Sequence, residues 1–226
     1  MANTSNNPHL YDIFQKAYPF LECIMDIYGP CLCGSGKKFK FCCCSSYKEG
    51  IIPLGVNLCS NLSLYDCKIL SEWKEVGISP IHVVRKLTET TYVLISYLID
   101  FWCLGLKDAF ITYGLTYDDL QSIFQKGPSL ISLPYEEARN LILGSIDFAK
   151  NIGIEPHANF SGVVTSFIEA TQPYEKQLAF GKDGIPFYVA GPKDYKNYNL
   201  KELAKKITAA GGDYIIEISN NGRQYV

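Results

Sequence analysis

Residues 81–101 read IHVVRKLTETTYVLISYLIDF. Ile81 to Leu87 and Thr91 to Phe101 are rich in β-branched and aromatic side chains, which suit a pleated, half-buried surface. Thr88-Glu89-Thr90 between them supplies a turn, so the pattern predicts an antiparallel hairpin. The second arm becomes apolar at consecutive positions towards its end, as a strand covered on both faces does. The hairpin therefore predicts a central strand in an antiparallel sheet.

Outward from the hairpin, Leu64 to Leu70 reads as a strand followed by a helical turn around Glu72 to Val76. Thr116 ahead of Asp118 and Asp119 marks a helix start, with acids near the positive dipole end. That helix runs to Gln125 and stops before Gly127-Pro128. A longer helix is expected over Pro134 to Ile152, where Ala138, Leu141, Ile142, Ile146, Ala149 and Ile152 form one apolar stripe. A further helix is expected around Phe160 to Ala170. Leu178 to Lys182 and Ile185 to Ala190 flank Asp183-Gly184, a hairpin signal. Leu200 to Ala209 reads as a helix and Tyr214 to Ile218 as a strand. At the other end, apolar residues at 10, 14, 17, 21, 24 and 28 keep a helical period, with Pro19 as a kink or a second start. Residues 45–62, rich in Ser, Gly and Asn, read as an irregular connection. The expected class is α+β: a mixed antiparallel sheet with flanking helices.

The chain has 226 residues, of which 47% are hydrophobic and 19% charged, the composition of a folded domain. A net charge of -2 excludes binding to nucleic acid through overall charge. Nine cysteines cannot all pair within one chain. The opening MANTSNNPHLYDIF lacks a charged region followed by an apolar run, so no secretory leader is expected. The longest apolar stretch, Tyr92 to Leu106, includes Ser96 and Asp100 and falls short of the ~18 residues of a membrane span. A reducing, cytoplasmic setting follows, in which clustered cysteines bind metal more often than they form disulfides. Cys23, Cys59, Cys67 and Cys103 are scattered and read as small core residues.

The other five lie together in GPCLCGSGKKFKFCCC, residues 29–44. Two close thiol pairs, C-x-C and C-C, are separated by eight residues. Such pairs supply four sulfurs to one tetrahedral zinc. Gly34 and Gly36 let the loop turn tightly beneath the ion. Phe39 and Phe41 are placed to cover a site too small to have its own core. A phosphate-binding P-loop is excluded at Gly34-Ser35-Gly36-Lys37, because Cys31 stands where its first Gly belongs and Lys38 replaces the Ser or Thr.

This segment resembles the SEC-C motif, C-x-C-G-S-G-K-K-[FY]-K-x-C-[CH], found in the preprotein translocase motor and in many other bacterial proteins. The resemblance covers Cys31 through Cys43. It implies Cys31, Cys33, Cys42 and Cys43 as ligands of one structural zinc per chain. Cys44 adds a third adjacent thiol, so the choice among the last three stays open. Four thiolates on one divalent ion leave about two negative charges, which Lys37, Lys38 and Lys40 partly offset. These lysines are either a solvated face or a docking surface for an acidic protein or for RNA. In the translocase the element docks a chaperone, so the resemblance implies a protein partner of the chaperone, translocation or ribosome-associated kind. The expected organisation is a helical segment 1–28, a zinc knuckle 29–46 and an α+β body 47–226.

Stretches of the body, such as Tyr97 to Ala109, Gly153 to His157 and Phe180 to Gly184, are similar to uncharacterised bacterial proteins that carry SEC-C motifs. That resemblance implies no activity. A second function class rests on Asp100, Lys107, Asp108, His157 and Asp183. Asp100 ends an apolar strand, and two carboxylates can hold magnesium in a metal-dependent nuclease or hydrolase, with Lys107 or His157 stabilising charge. The plainer alternatives are an ion pair with Lys107 or a loop cap for Asp100, a solvated loop face for Lys107 and Asp108, a hairpin turn for Asp183 and a helix cap for His157. A third class, nucleic-acid binding, rests on Lys193 to Lys206. That stretch holds five lysines against Asp194 and Glu202, with Tyr195, Tyr198 and the preceding Tyr188 as stacking candidates.

Overall fold

The fold was obtained as a computed structural model, which describes residues 37–41, 62–87, 89–160, 163–168, 178–191 and 194–216. The expected helix over residues 10–28 and the connection over 45–61 lie outside the described residues.

The hairpin forms as the sequence predicts. In chain order the body contains β1 (Leu64–Leu70), α1 (Trp73–Val76), β2 (Ile78–Lys86), β3 (Tyr92–Asp100), β4 (Gly105–Leu115), α2 (Tyr117–Gln125) and β5 (Leu130–Ser132). There follow α3 (Tyr135–Asn151), α4 (Val163–Ser166), β6 (Phe187–Val189), α5 (Asp194–Asn197), α6 (Leu200–Ala209) and β7 (Asp213–Ile215). Five strands make an antiparallel sheet in the order β4-β3-β2-β1-β5, so β3 is an interior strand paired on both sides. The α+β class stands.

Alternate residues of β3 enter different cores, which explains its unbroken apolar run. Val93, Ile95, Tyr97 and Ile99 join Ile69, Ile81 and Val83 beneath α3, whose Ala138, Leu141, Ile142 and Ile146 form the expected stripe. Tyr92 and Leu94 join Val84 on the opposite face, against Leu120 of α2. Thr116 and Asp119 close a reciprocal capping box at the start of α2, where the sequence placed a helix start.

A third cluster gathers Cys103 and Leu104 of the β3–β4 turn with Ala149, Ile154, Tyr188, Leu200, Leu203 and Ile207. It seats the C-terminal elements at one end of the sheet. Cys67 and Cys103 are buried free thiols, and burial pushes both to higher pKa, Cys67 to about 12. They bear out the reading of scattered cysteines as core residues. Cys23 and Cys59 lie outside the described residues.

Three expectations change. Residues 105–115 form a strand of eleven residues that the sequence reading treated as loop around Lys107-Asp108. The expected hairpin over 178–190 reduces to its turn. Lys182 and Ile185 bridge around Asp183 and Gly184, with φ of 55° and 82°. β6 then pairs with β7 in parallel rather than with the segment before the turn. Of the helix expected around Phe160 to Ala170, Val163–Ser166 is helical among the described residues.

Candidate functional site

The knuckle loop is described from Lys37 to Phe41. Phe39–Phe41 form one turn of 3-10 helix, closed by Phe41 N–H donating to Lys38 O at 3.0 Å. Lys37, Lys38 and Lys40 are exposed, and Phe41 is 68% exposed beside the Lys40 ammonium, 5.8 Å from its ring. Phe41 therefore lies on the outer surface, and the cysteines that it and Phe39 were expected to cover lie outside the described residues. Cys31, Cys33, Cys42, Cys43 and Cys44 lie outside the described residues. The donor set itself fits zinc: four thiols in two close pairs, joined by a segment that contains a tight turn.

The catalytic candidates of the body fall into two groups. Asp100, at the end of β3, accepts from the backbone N–H groups of Trp102 at 3.0 Å and Cys103 at 2.9 Å. It caps the turn into β4. Burial pushes its pKa up to about 6, against the pull of Lys107 and these two N–H groups, and Asp194 pushes the same way as burial. Lys107 belongs to this group because of an irregularity in the β3–β4 ladder. Leu98 faces Asp108 while Ile99 faces Leu106, so Lys107 is the extra residue of a bulge, a device that re-aims side chains. Its ammonium lies 2.9 Å from Asp194 Oδ2, at side-chain exposures of 5% and 0%. The same oxygen accepts from Tyr188 Oη at 3.0 Å and Gly191 N at 2.9 Å. Burial and then Asp194 raise the Tyr188 pKa far above its ordinary value, so it stays a neutral donor.

The second group is built on Asp108. Its Oδ1 accepts from Ala109 N at 2.8 Å and Asn159 Nδ2 at 2.7 Å, and lies 3.5 Å from His157 Nδ1. His157 Nδ1 accepts from Asn159 N at 3.3 Å, and His157 N–H donates to Leu106 O at 3.0 Å. These contacts fasten the 157–160 turn to β4. A carboxylate beside an imidazole can orient a base. Asp183 stands apart in its turn. The structure thus joins Asp100 with Lys107, and Asp108 with His157. No group of three or more metal-ligating side chains is present among the described residues.

The basic stretch changes character. Asp194 is consumed inside the fold, which leaves Glu202 as the acid on the surface of residues 194–206. Lys196, Lys201, Lys205 and Lys206 are exposed, as is Tyr195. Tyr188 is fully buried and is not available for stacking. Lys193 lies outside the described residues.

Sequence reasoning missed Asp194 as the partner of Lys107, because the two are 87 residues apart. It also missed two buried cations and bases of the sheet. Arg85 donates to Leu62 O at 2.9 Å, Tyr135 Oη at 2.8 Å and Phe167 O at 3.2 Å. His82 meets Ser96 Oγ at 2.8 Å, and burial, then Lys68, lower its pKa to about 4, so it is neutral near pH 7.

Asp100 yields a pH prediction. Its folded pKa of about 6 lies above the ordinary 3.8, so the folded state holds the charge at a cost above pH 6. That cost fades as pH falls from about 6 to about 4, where both states take up the proton. Asp100→Asn keeps an acceptor for the two N–H groups without the charge. Urea titrations from pH 4 to pH 8 are expected to show the variant gaining on the wild type as pH rises, by on the order of 2–3 kcal/mol. A constant difference across that range contradicts the assignment.

Among the described residues, no helix is long and apolar enough to cross a membrane. Comparison with family models, with curated proteins and with solved structures gave no match to this chain.

Proposed function

We propose that the chain is a zinc-stabilised interaction protein, in which the knuckle around Cys31, Cys33, Cys42 and Cys43 holds one structural zinc and offers Lys37, Lys38 and Lys40 to an acidic protein surface. The observation that carries the reading is the joint exposure of these three lysines and Phe41 around a single turn. An apolar ring set among ammonium groups suits a protein contact, since interface centres favour aromatic side chains and rims favour charge. Zinc would fix the ends of the loop and so hold that surface in one shape. A closed four-thiolate set leaves no open position for substrate, so the ion would be structural and not catalytic. A reducing, cytoplasmic location belongs to the reading, because the thiolates must escape oxidation.

Two measurements test it. Metal analysis of the purified protein is expected to give about one zinc per chain, released together with thiol reactivity. The triple variant Lys37→Glu, Lys38→Glu, Lys40→Glu is expected to keep that zinc and to lose salt-sensitive binding to a Glu-rich peptide probe. Metal-free protein with fully reactive thiols at isolation would remove the knuckle. Undiminished peptide binding by the triple variant would remove its docking role.

A further inference from the structure

The Lys107 ammonium and the Asp194 carboxyl meet where water is excluded. Their side chains are 5% and 0% exposed, and Nζ lies 2.9 Å from Oδ2. An ammonium at that range is also within reach of the carboxyl carbon that carries the oxygen. Tyr188, which shares Oδ2, belongs to the apolar cluster of Cys103, Leu104, Leu200 and Leu203. A buried ion pair is held against a desolvation cost, and handing one proton across it gives an uncharged amine and carboxylic acid. Those are the two partners of amide formation.

The two carboxyl oxygens differ. Oδ2 also accepts from Tyr188 Oη at 3.0 Å and from Gly191 N at 2.9 Å. A Cβ on Gly191 would lie 3.3 Å from both oxygens, so glycine lets the backbone come this close. Two neutral donors on one oxygen form the arrangement that stabilises negative charge when a nucleophile adds to the carbon. Oδ1 is buried and has no hydrogen-bond partner among the described residues. A buried carboxylate oxygen left without a donor costs free energy, and that cost ends if the oxygen leaves. Asp100 is near enough to feel both charges, and burial pushes its pKa up to about 6, so it exchanges protons readily near neutral pH.

We propose that Lys107 and Asp194 join in an intramolecular isopeptide bond, with Asp100 as the proton carrier. The Nζ lone pair forms the bond to Cγ of Asp194, and the Cγ–Oδ1 bond breaks with its electron pair staying on Oδ1. Of the two protons that Nζ gives up, one crosses within the ion pair and Asp100 carries the other. Both end on Oδ1, which departs as water. Oδ2 remains as the amide oxygen on the same two donors. No co-reactant is needed. Condensation in water is unfavourable, but partners fixed in place reach effective molarities of about 10⁵–10⁸ M. Only the folded chain holds these groups, 87 residues apart, in contact, so the ion pair is the state before closure. The proposal does not rest on the reading of the knuckle.

Mass spectrometry of the full-length protein, denatured, reduced and stripped of metal, tests this. The chain is expected to weigh one water less than its sequence. Tryptic digestion is expected to give a branched peptide that joins Lys107 to Asp194 and is uncleaved after Lys107. Lys107→Arg keeps a cation without a primary amine and is expected to show the full sequence mass. Asp100→Asn keeps an acceptor for the turn, and its linked fraction at isolation is expected to be at least about tenfold lower. The full sequence mass in folded wild-type protein overturns the bond, as does a lost water that maps to a peptide without Lys107. An Asp100→Asn variant linked as fully as the wild type overturns the part given to Asp100.

Discussion

Replacing Asp194 with Ala is expected to destabilise the fold by about 3–5 kcal/mol, because it removes the carboxylate that lies 2.9 Å from a buried ammonium. Lys107 and Asp194 are both nearly free of solvent contact, and Asp194 Oδ2 also serves Tyr188 and Gly191. The deletion therefore removes one shared acceptor from a buried charge and two polar donors, and losing a buried bond costs more than the bond contributes when made. Lys107→Ala leaves the buried Asp194 carboxylate with Tyr188 and Gly191 but without its counter-charge, and is expected to cost a similar amount. The pair Lys107→Met, Asp194→Leu removes both charges together and is expected to cost well under the sum of the single effects. Urea unfolding of the three variants measures this. Single losses below about 1 kcal/mol would mean that water reaches the pair in solution.

The second large effect is expected at Gly77. It ends α1 with φ of 72° and lies against the indole of Trp102, so that an added Cβ would overlap the ring. The left-handed backbone costs an Ala about 1–2 kcal/mol, and overpacking costs about 1–3 kcal/mol more. Trp102 cannot yield without loss, since its N–H and carbonyl are both bonded and its ring packs on Phe187. Gly77→Ala is expected to lower stability by about 2–5 kcal/mol and to shift tryptophan emission to the red. Gly77→Asn tolerates the backbone angle yet carries the same Cβ. It separates the two causes, and a wild-type melting temperature in that variant would show that the overlap is relieved cheaply.

Much of the sheet was legible because its signals are local. The 81–101 hairpin declares itself by β-branched arms and a short polar turn, and α2 by Thr116 with its acids. β4 was not legible, for a reason that lies elsewhere in the chain. Gly105, Lys107, Asp108 and Gly114 break its apolar pattern, and what makes Lys107 tolerable in a strand is Asp194, which no window of sequence brings near. The 178–190 segment failed differently. Asp183-Gly184 makes the expected turn, but the strand after it finds its partner in Asp213–Ile215 rather than across the turn. Among the candidate catalytic residues, the oddity of a carboxylate at the end of an apolar strand was a real signal. In the structure Asp100 satisfies two turn N–H groups, a need that arises only once the turn has formed.

The joint between sheet and C-terminal elements also orders events in time. β2, β3 and β4 follow one another as hairpins, so their contacts close short loops, whereas the Lys107–Asp194 contact closes one of 87 residues. Short loops cost less entropy to close and form sooner. The sheet can therefore assemble with Lys107 still hydrated, and the ammonium gives up its water only when the C-terminal elements arrive. A contact made that late is expected to be absent from the transition state, so its loss in Asp194→Ala should speed unfolding and leave the folding rate nearly unchanged.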